Sequence, residues 1–304
     1  MNNPVTDVVK KPVVIAMPGN ERLADELVAL LELERIAARV RHFPDGESHV
    51  RIEAAIGGCH ALIVCTLDRP DEKLVPLLLL ASAARDAGAL SVGLVAPYLA
   101  YMRQDRQFHP GETISARHIG ALISQHVDWL VTVDPHLHRI TGLSAVYGIP
   151  SRVVHAADSV AQWLRANIPQ PLLIGPDEES AQWVRDVAQR AGAPFVVLNK
   201  IRRGDRDVMV SVPDLERWRA HTPVLIDDIV STARTMIETV THLRHTGLAA
   251  PVCVAVHAVF AQTAYDDLRA AGVADIVSCD TIIHPSNRIV LAPAIAAGVR
   301  ELLP

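Results

Sequence analysis

Short apolar runs alternate along this chain with longer stretches in which apolar positions recur every three to four residues. The short runs predict strands at Val13–Met17, Ala61–Thr66, Ser91–Ala96, Trp129–Val133, Leu172–Gly175, Phe195–Leu198, Val224–Ile226 and Val252–His257. The periodic stretches predict helices over Glu21–Leu33, Lys73–Ala87, Ala116–His126, Ser159–Ala166, Ser180–Ala191 and Thr235–Thr246. Gly88, Gly192, Gly247 and Gly272 stand where helices end. Strands that are apolar throughout are buried on both faces, so alternating β and α elements imply parallel sheets covered by helices. The fold class is α/β with two doubly wound domains. Gly148-Ile149-Pro150 breaks the pattern, which sets the expected boundary near residues 148–156 and the domains at 1–150 and 151–304. No sequence repeat relates the halves.

Composition narrows the class. The 304 residues suffice for two ordinary cores, with 50% hydrophobic and 21% charged residues. A formal charge of −5 and the lack of a basic run argue against a nucleic-acid surface. No apolar stretch is long enough to predict a membrane span, and the opening Met-Asn-Asn-Pro-Val-Thr-Asp does not read as a secretory signal. Cys59, Cys65, Cys253 and Cys279 lack metal-site spacing and suit reduced thiols in a cytoplasm.

Ligands of open α/β sheets gather at the carboxyl ends of strands, so candidate chemistry is sought there. The most informative stretch is residues 224–236. Val224, Leu225 and Ile226 run into Asp227 and Asp228, and Ser231, Thr232 and Thr235 then open a helix across Ala233 and Arg234. A strand-to-helix turn aims unpaired N–H groups at one spot and favours an anion. Hydroxyls add donors to phosphate, while the acids can accept from sugar hydroxyls or hold a cation. The competing reading is an ordinary capped helix.

Five further segments carry polar chemistry. Phe43-Pro44-Asp45-Gly46-Glu47 is a tight turn after Ala38–His42 and reads equally as a solvated hairpin. Within Pro97–Arg106, Arg103 can clamp phosphate and Gln104 can address a base edge. Asp134-Pro135-His136 pairs a carboxylate with an imidazole able to take a divalent ion, although a lone histidine is more often structural; His138 is read as structural. Asp177 either shares a cation or caps the following helix. In Lys200–Arg206, Lys200 and Arg202 alternate along an extended segment beside Gly204, as in a flap closing over phosphates or a solvated basic turn.

In order and approximate spacing, these segments resemble those of ribose-phosphate pyrophosphokinases, from Phe43 to Thr235. The loop Gln107-Phe108-His109-Pro110-Gly111-Glu112 resembles archaeal-type members. The resemblance implies a type I phosphoribosyltransferase-like fold. It also implies that Phe43, Asp45, Gly46, Glu47, Arg103 and Gln104 hold ATP, and that His136 and Asp177, with Asp134 as a further candidate, serve Mg2+. Lys200 is then catalytic, and Arg202 assists it and ribose 5-phosphate. Asp227, Asp228, Ser231, Thr232, Ala233, Arg234 and Thr235 form the ribose 5-phosphate site. The implied reaction moves pyrophosphate from ATP to the 1-hydroxyl of ribose 5-phosphate and releases AMP. The implied assembly is a homo-oligomer whose Phe43–Glu47 loop completes a neighbour's ATP site. A phosphoribosyltransferase would share residues 224–236 but leave the first half unexplained. A non-catalytic regulatory homologue is the third reading.

Two departures stand out. Glu178-Glu179-Ser180 follows Asp177 where the family carries glycines, and two carboxylates repel phosphate unless turned away or bound to metal. Ala233-Arg234 also replaces common glycines, which is expected to be tolerable if both positions are already helical.

Overall fold

The apolar runs become strands of two six-stranded parallel sheets, all of them inner except Phe195–Leu198, which gives an edge. The structure is a computed structural model describing residues 10–137, 139–203, 207–211 and 216–304, with backbone alone at 199–203, 207–211 and 216. The sequence position His138 lies outside the described residues.

The first unit runs to Val154 and resumes at Ala292–Pro304; the second is His155–Leu291. The first unit contains β1 (Val13–Ala16), α1 (Glu21–Leu31), β2 (Glu34–Ile36), β3 (Ala38–His42), β4 (Ser48–Ile52), β5 (His60–Val64), α2 (Pro70–Asp86), β6 (Ser91–Ala96), α3 (Ser115–Ser124), β7 (Trp129–Val133) and β8 (Ser151–Val154). The second contains α4 (Ala157–Asn167), β9 (Pro171–Gly175), α5 (Ala181–Ala191), β10 (Phe195–Val197), β11 (Asn199–Arg203), β12 (Asp207–Ser211), β13 (Thr222–Val230), α6 (Arg234–Arg244), β14 (Val252–Ala258), α7 (Ala264–Ala270), β15 (Asp275–Cys279) and β16 (Asn287–Ile289). Helix α8 (Ala292–Leu302) then returns to the first unit.

The first sheet has the order β2-β1-β5-β6-β7-β8, and the second β10-β9-β13-β14-β15-β16. Ranked along the chain, the two orders are identical. Each unit also inserts an antiparallel hairpin between its second and third sheet strands, β3–β4 in one and β11–β12 in the other. The halves repeat in topology without repeating in sequence.

The interior follows from composition. All residues of β7 and β14 are buried, and β5, β6 and β9 are buried beyond their first residue. The four cysteines are free and buried, and burial pushes the Cys65 thiol up to about 12.

Three expectations change. The expected 151–304 domain loses both ends, because β8 pairs with β7 and α8 packs beside them. Gly298 permits that approach: a Cβ there would lie 2.9 Å from Val154 Cγ2. The expected strand Val224–Ile226 extends through both acids to Val230, because Ile229 and Val230 continue the ladder with His257 and Ala258. Ala233 is not helical: it is left-handed (φ 56°), and α6 starts one residue later.

Candidate functional site

The chemistry in the second unit concentrates where its strand order reverses, between β9 and β13. Chains leave this point in opposite directions, opening a crevice at the carboxyl ends of the two strands. Asp177 follows β9, and Asp227 and Asp228 lie near the end of β13. Burial, followed by the charges of Asp228 and Asp177, pushes the Asp227 carboxyl well above the usual carboxylate range. Backbone amides organise the acids: Asp228 N–H donates to Asp227 Oδ1 (3.0 Å), and Ile229 N–H donates to Asp228 Oδ1 (2.8 Å). A buried carboxylate whose ionisation two neighbouring acids disfavour suits a hard cation or sugar hydroxyls, which supply the missing positive partners.

Asp177 keeps both roles open to it. Its Oδ1 accepts from Ser180 N–H (3.1 Å), and Ser180 Oγ donates to the Asp177 carbonyl (2.7 Å). This closed turn precedes α5, which starts at Ala181. Gly175 makes it possible, since a Cβ there would sit 2.7 Å from Ser180 Oγ. Glu178 and Glu179 are exposed.

Beyond the acids, Ser231 and Thr232 form the turn into α6. The loop after β14 supports it: Phe260 N–H donates to Val230 O (2.9 Å), and Ala261 N–H to Ser231 O (3.0 Å). Ser231 and Thr235 are half-buried, whereas Thr232 and Arg234 are exposed beside the amides of the first helical turn. That end is electropositive and has unpaired donors. Ala233 is buried, with its methyl in the core formed with Met236, Val240 and Leu225.

The hairpin β11–β12 pairs Lys200 with Val210 and Arg202 with Val208. The expected flap segment is therefore an extended ribbon. Arg206 lies outside the described residues.

The first unit treats the equivalent crevice differently. Between β1 and β5, the buried Asn20 accepts from Thr66 N–H (2.7 Å) and donates to Met17 O and Pro18 O. Thr66 Oγ1 accepts from Tyr98 N–H (3.2 Å), while Lys73 pairs with Asp68 and donates to Thr66 O. The crevice is occupied by the protein's own side chains. Candidate residues sit instead on the loops after β6 and β7 and on the β3–β4 hairpin.

Residues Phe43–Glu47 close that hairpin and are all exposed. Phe43 N–H donates to Glu47 O (2.8 Å), Gly46 N–H to Phe43 O (2.9 Å), and Glu47 N–H to Asp45 Oδ1 (3.2 Å). Gly46 supplies the left-handed position (φ 94°). Phe43 is 40% exposed, with the Arg41 guanidinium 5.1 Å from its ring centre.

Arg103 and Gln104 are exposed in the loop after β6. Gln104 Oε1 accepts from Ser115 Oγ (2.6 Å), and the Gln104 carbonyl accepts from Ala116 N–H (3.3 Å). Ser115, which directly precedes the helix expected from Ala116, was not singled out in the sequence. Asp134 is buried with φ 30°, a strained setting for a non-glycine residue, and His136 beside it is half-buried. Among the described residues, no three His, Cys, Asp or Glu gather into a preformed metal cage. Magnesium commonly uses one or two carboxylates plus substrate phosphates, so an oxygen donor such as Asp177 fits it.

Two sheets of this topology, with an acidic strand end leading into a hydroxyl turn, define the phosphoribosyltransferase class. Residues 144–294 match the phosphoribosyl transferase domain, and residues 12–126 match the N-terminal domain of ribose phosphate pyrophosphokinase. The ribose-phosphate pyrophosphokinase of Methanopyrus kandleri is 32% identical over 95% of this chain and 99% of its own. That of Halobacterium salinarum is 35% identical over 84% and 88%. The chain belongs to the ribose-phosphate pyrophosphokinase family. A solved phosphoribosylpyrophosphate synthetase from Mycobacterium smegmatis has the same fold (TM-score 0.84, 23% identity, 96% of this chain and 99% of that one). No described helix is long and apolar enough to cross a membrane.

Proposed function

We propose that this enzyme transfers pyrophosphate from ATP to ribose 5-phosphate, giving phosphoribosyl pyrophosphate and AMP. The observation that carries the reading is the acid-to-hydroxyl path Asp227–Thr235 at the crevice between β9 and β13, in a chain of this family. The ribose 1-oxygen attacks the β-phosphorus, the new O–P bond replaces the bond to the α-phosphate oxygen, AMP leaves, and the hydroxyl proton passes to solvent. Such a transfer calls for alignment and charge neutralisation rather than a protein nucleophile.

Asp227 and Asp228 accept from the ribose hydroxyls. Ser231, Thr232, Ala233, Arg234 and Thr235 receive the 5-phosphate through amides, hydroxyls and the helix end. Lys200 and Arg202 neutralise charge that grows in transfer. Arg103 and Gln104 hold ATP, and Phe43, Asp45, Gly46 and Glu47 hold the adenosine of an ATP bound to a neighbouring copy. In the first unit His136, with Asp134 beside it, and in the second unit Asp177 would each serve as a magnesium ligand. Bound magnesium supplies charge neutralisation to the phosphates. The working form is a homo-oligomer, and its setting is the cytoplasm, which the buried free thiols suit.

The test is incubation with magnesium, ATP and ribose 5-phosphate, followed by product identification. AMP together with phosphoribosyl pyrophosphate is expected. Pyrophosphate release from added phosphoribosyl pyrophosphate only when a base is supplied, with no AMP formed, overturns the reading.

A further inference from the structure

One cation ties the loops after β6 and β7 together. Arg139 Nη1 lies 3.3 and 3.5 Å from the two carboxylate oxygens of Asp105. The Asp105 side chain is 2% exposed and that of Arg139 37%, so a surface cation reaches down to a buried anion. The same guanidinium lies 5.7 Å from the ring centre of Phe108, and Arg106 lies 5.0 Å from it. Phe108 is anchored in turn, because its N–H and that of His109 donate to Glu112 Oε2 (2.8 and 3.0 Å).

Arg103 and Gln104 immediately precede Asp105. On one side, Ser115 and Ala116 of α3 hold Gln104; on the other, Arg139 holds Asp105. The segment is therefore held at the two consecutive residues that follow Arg103, although the loop containing it forms no helix or strand.

We propose that Arg139 is a positioning residue for the nucleotide: through Asp105 it holds Arg103 and Gln104 in the arrangement that receives ATP. This inference rests on the functional reading above. A guanidinium is suited to the task, because one of its nitrogens reaches both carboxylate oxygens while the group also lies over an aromatic ring. A buried carboxylate that loses its cation must move toward water or take up a proton, and either change releases the segment. Where the receptive arrangement is only a fraction of the population, apparent affinity falls by that fraction. A tenfold loss of order thus reads as about a tenfold rise in the ATP constant, with chemistry after binding unaltered.

The test uses the full-length variants Arg139→Ala, Arg139→Lys, Asp105→Asn and the double variant Arg139→Ala/Asp105→Asn. ATP affinity is measured by calorimetry and steady-state constants for each substrate. Arg139→Ala is expected to raise the ATP constant about tenfold, with kcat and the ribose 5-phosphate KM within about twofold. Arg139→Lys, which keeps the charge, is expected to recover part of the loss. The double variant should be no worse than the poorer single variant, since both act through one link. Equal losses for both substrates, an unchanged ATP constant, or multiplying losses in the double variant would overturn the proposal. The last result would mean that Arg139 acts on ATP without Asp105. Calorimetry reads ATP binding without turnover, so absence of product in the native enzyme would sink the functional reading and leave this test standing.

Discussion

At the scale of single residues, two positions in the second unit show how ligand binding and stability oppose each other. Asp227 is held by burial and by neighbouring carboxylates that raise the cost of its ionisation. A carboxyl raised above its unfolded value lowers native stability at neutral pH, and that loss is recovered as pH falls through the raised value. Asp227→Asn should therefore raise the melting temperature of the ligand-free protein by a few degrees while weakening ribose 5-phosphate far more than ATP. Thermal melts and calorimetry check both halves, and equal weakening of the two ligands would contradict the assigned role. Ala233 carries the second opposition. A left-handed backbone costs an ordinary residue roughly 1–2 kcal/mol, and burial of one methyl returns about 0.8 kcal/mol. Ala233→Gly should therefore change stability by less than about 1 kcal/mol, with strain relief offset by lost packing. Ala233→Val, which puts a β-branched side chain in the same backbone setting and a full pocket, should cost about 2 kcal/mol or more in urea unfolding. A neutral Ala233→Val would show that the turn is not held left-handed in solution.

At the scale of elements, most inner strands were readable because each is an uninterrupted apolar run: Ser91–Ala96 and Trp129–Val133 match their expected spans. The inner strand β15 was missed because Asp275 and Ser278 interrupt its apolar residues. The end of β13 was not readable, since two acids look like a loop when only pattern is considered. They remain in the strand because the backbone ladder to β14 does not depend on side-chain polarity. Edge strands β2 and β16 are three residues long, too short for alternation to register. The left-handed state of Ala233 was hidden for a different reason: alanine is an excellent helix former, so propensity pointed into the helix rather than to its boundary. The candidate chemistry itself was legible as ordered motifs, whereas the filling of the first crevice by Asn20, Thr66 and Lys73 depends on contacts between distant segments. The β11–β12 hairpin, by contrast, matches the extended segment expected around Lys200. A ribbon that delivers charge to the transfer step should affect rate more than binding. Lys200→Ala should lower kcat at least about 10²-fold with a smaller change in KM. An unchanged kcat in a folded variant would remove Lys200 from the mechanism.

At the scale of the whole molecule, the β3–β4 hairpin ends in a tip whose residues 43–47 are all exposed, including an aromatic ring. If that tip serves a neighbouring copy, a mixed assembly of Glu47→Ala and Lys200→Ala gathers both defects into one active site and leaves another intact. Each variant alone should be nearly inactive, and mixing under subunit exchange should restore part of the activity. No recovery despite demonstrated exchange would mean that each copy supplies its own complete site. The chain path has another consequence. Helix α8 belongs to the first unit, where Gly298 lets it approach Val131 and Val154, but it follows the whole of His155–Leu291 in sequence. A ribosome therefore emits β1 to β8 long before the helix that covers part of their sheet. The contiguous second unit can complete its core as soon as it emerges, while the first waits with an apolar seam open to water. Maturation then runs opposite to synthesis: the half made first is the last to close.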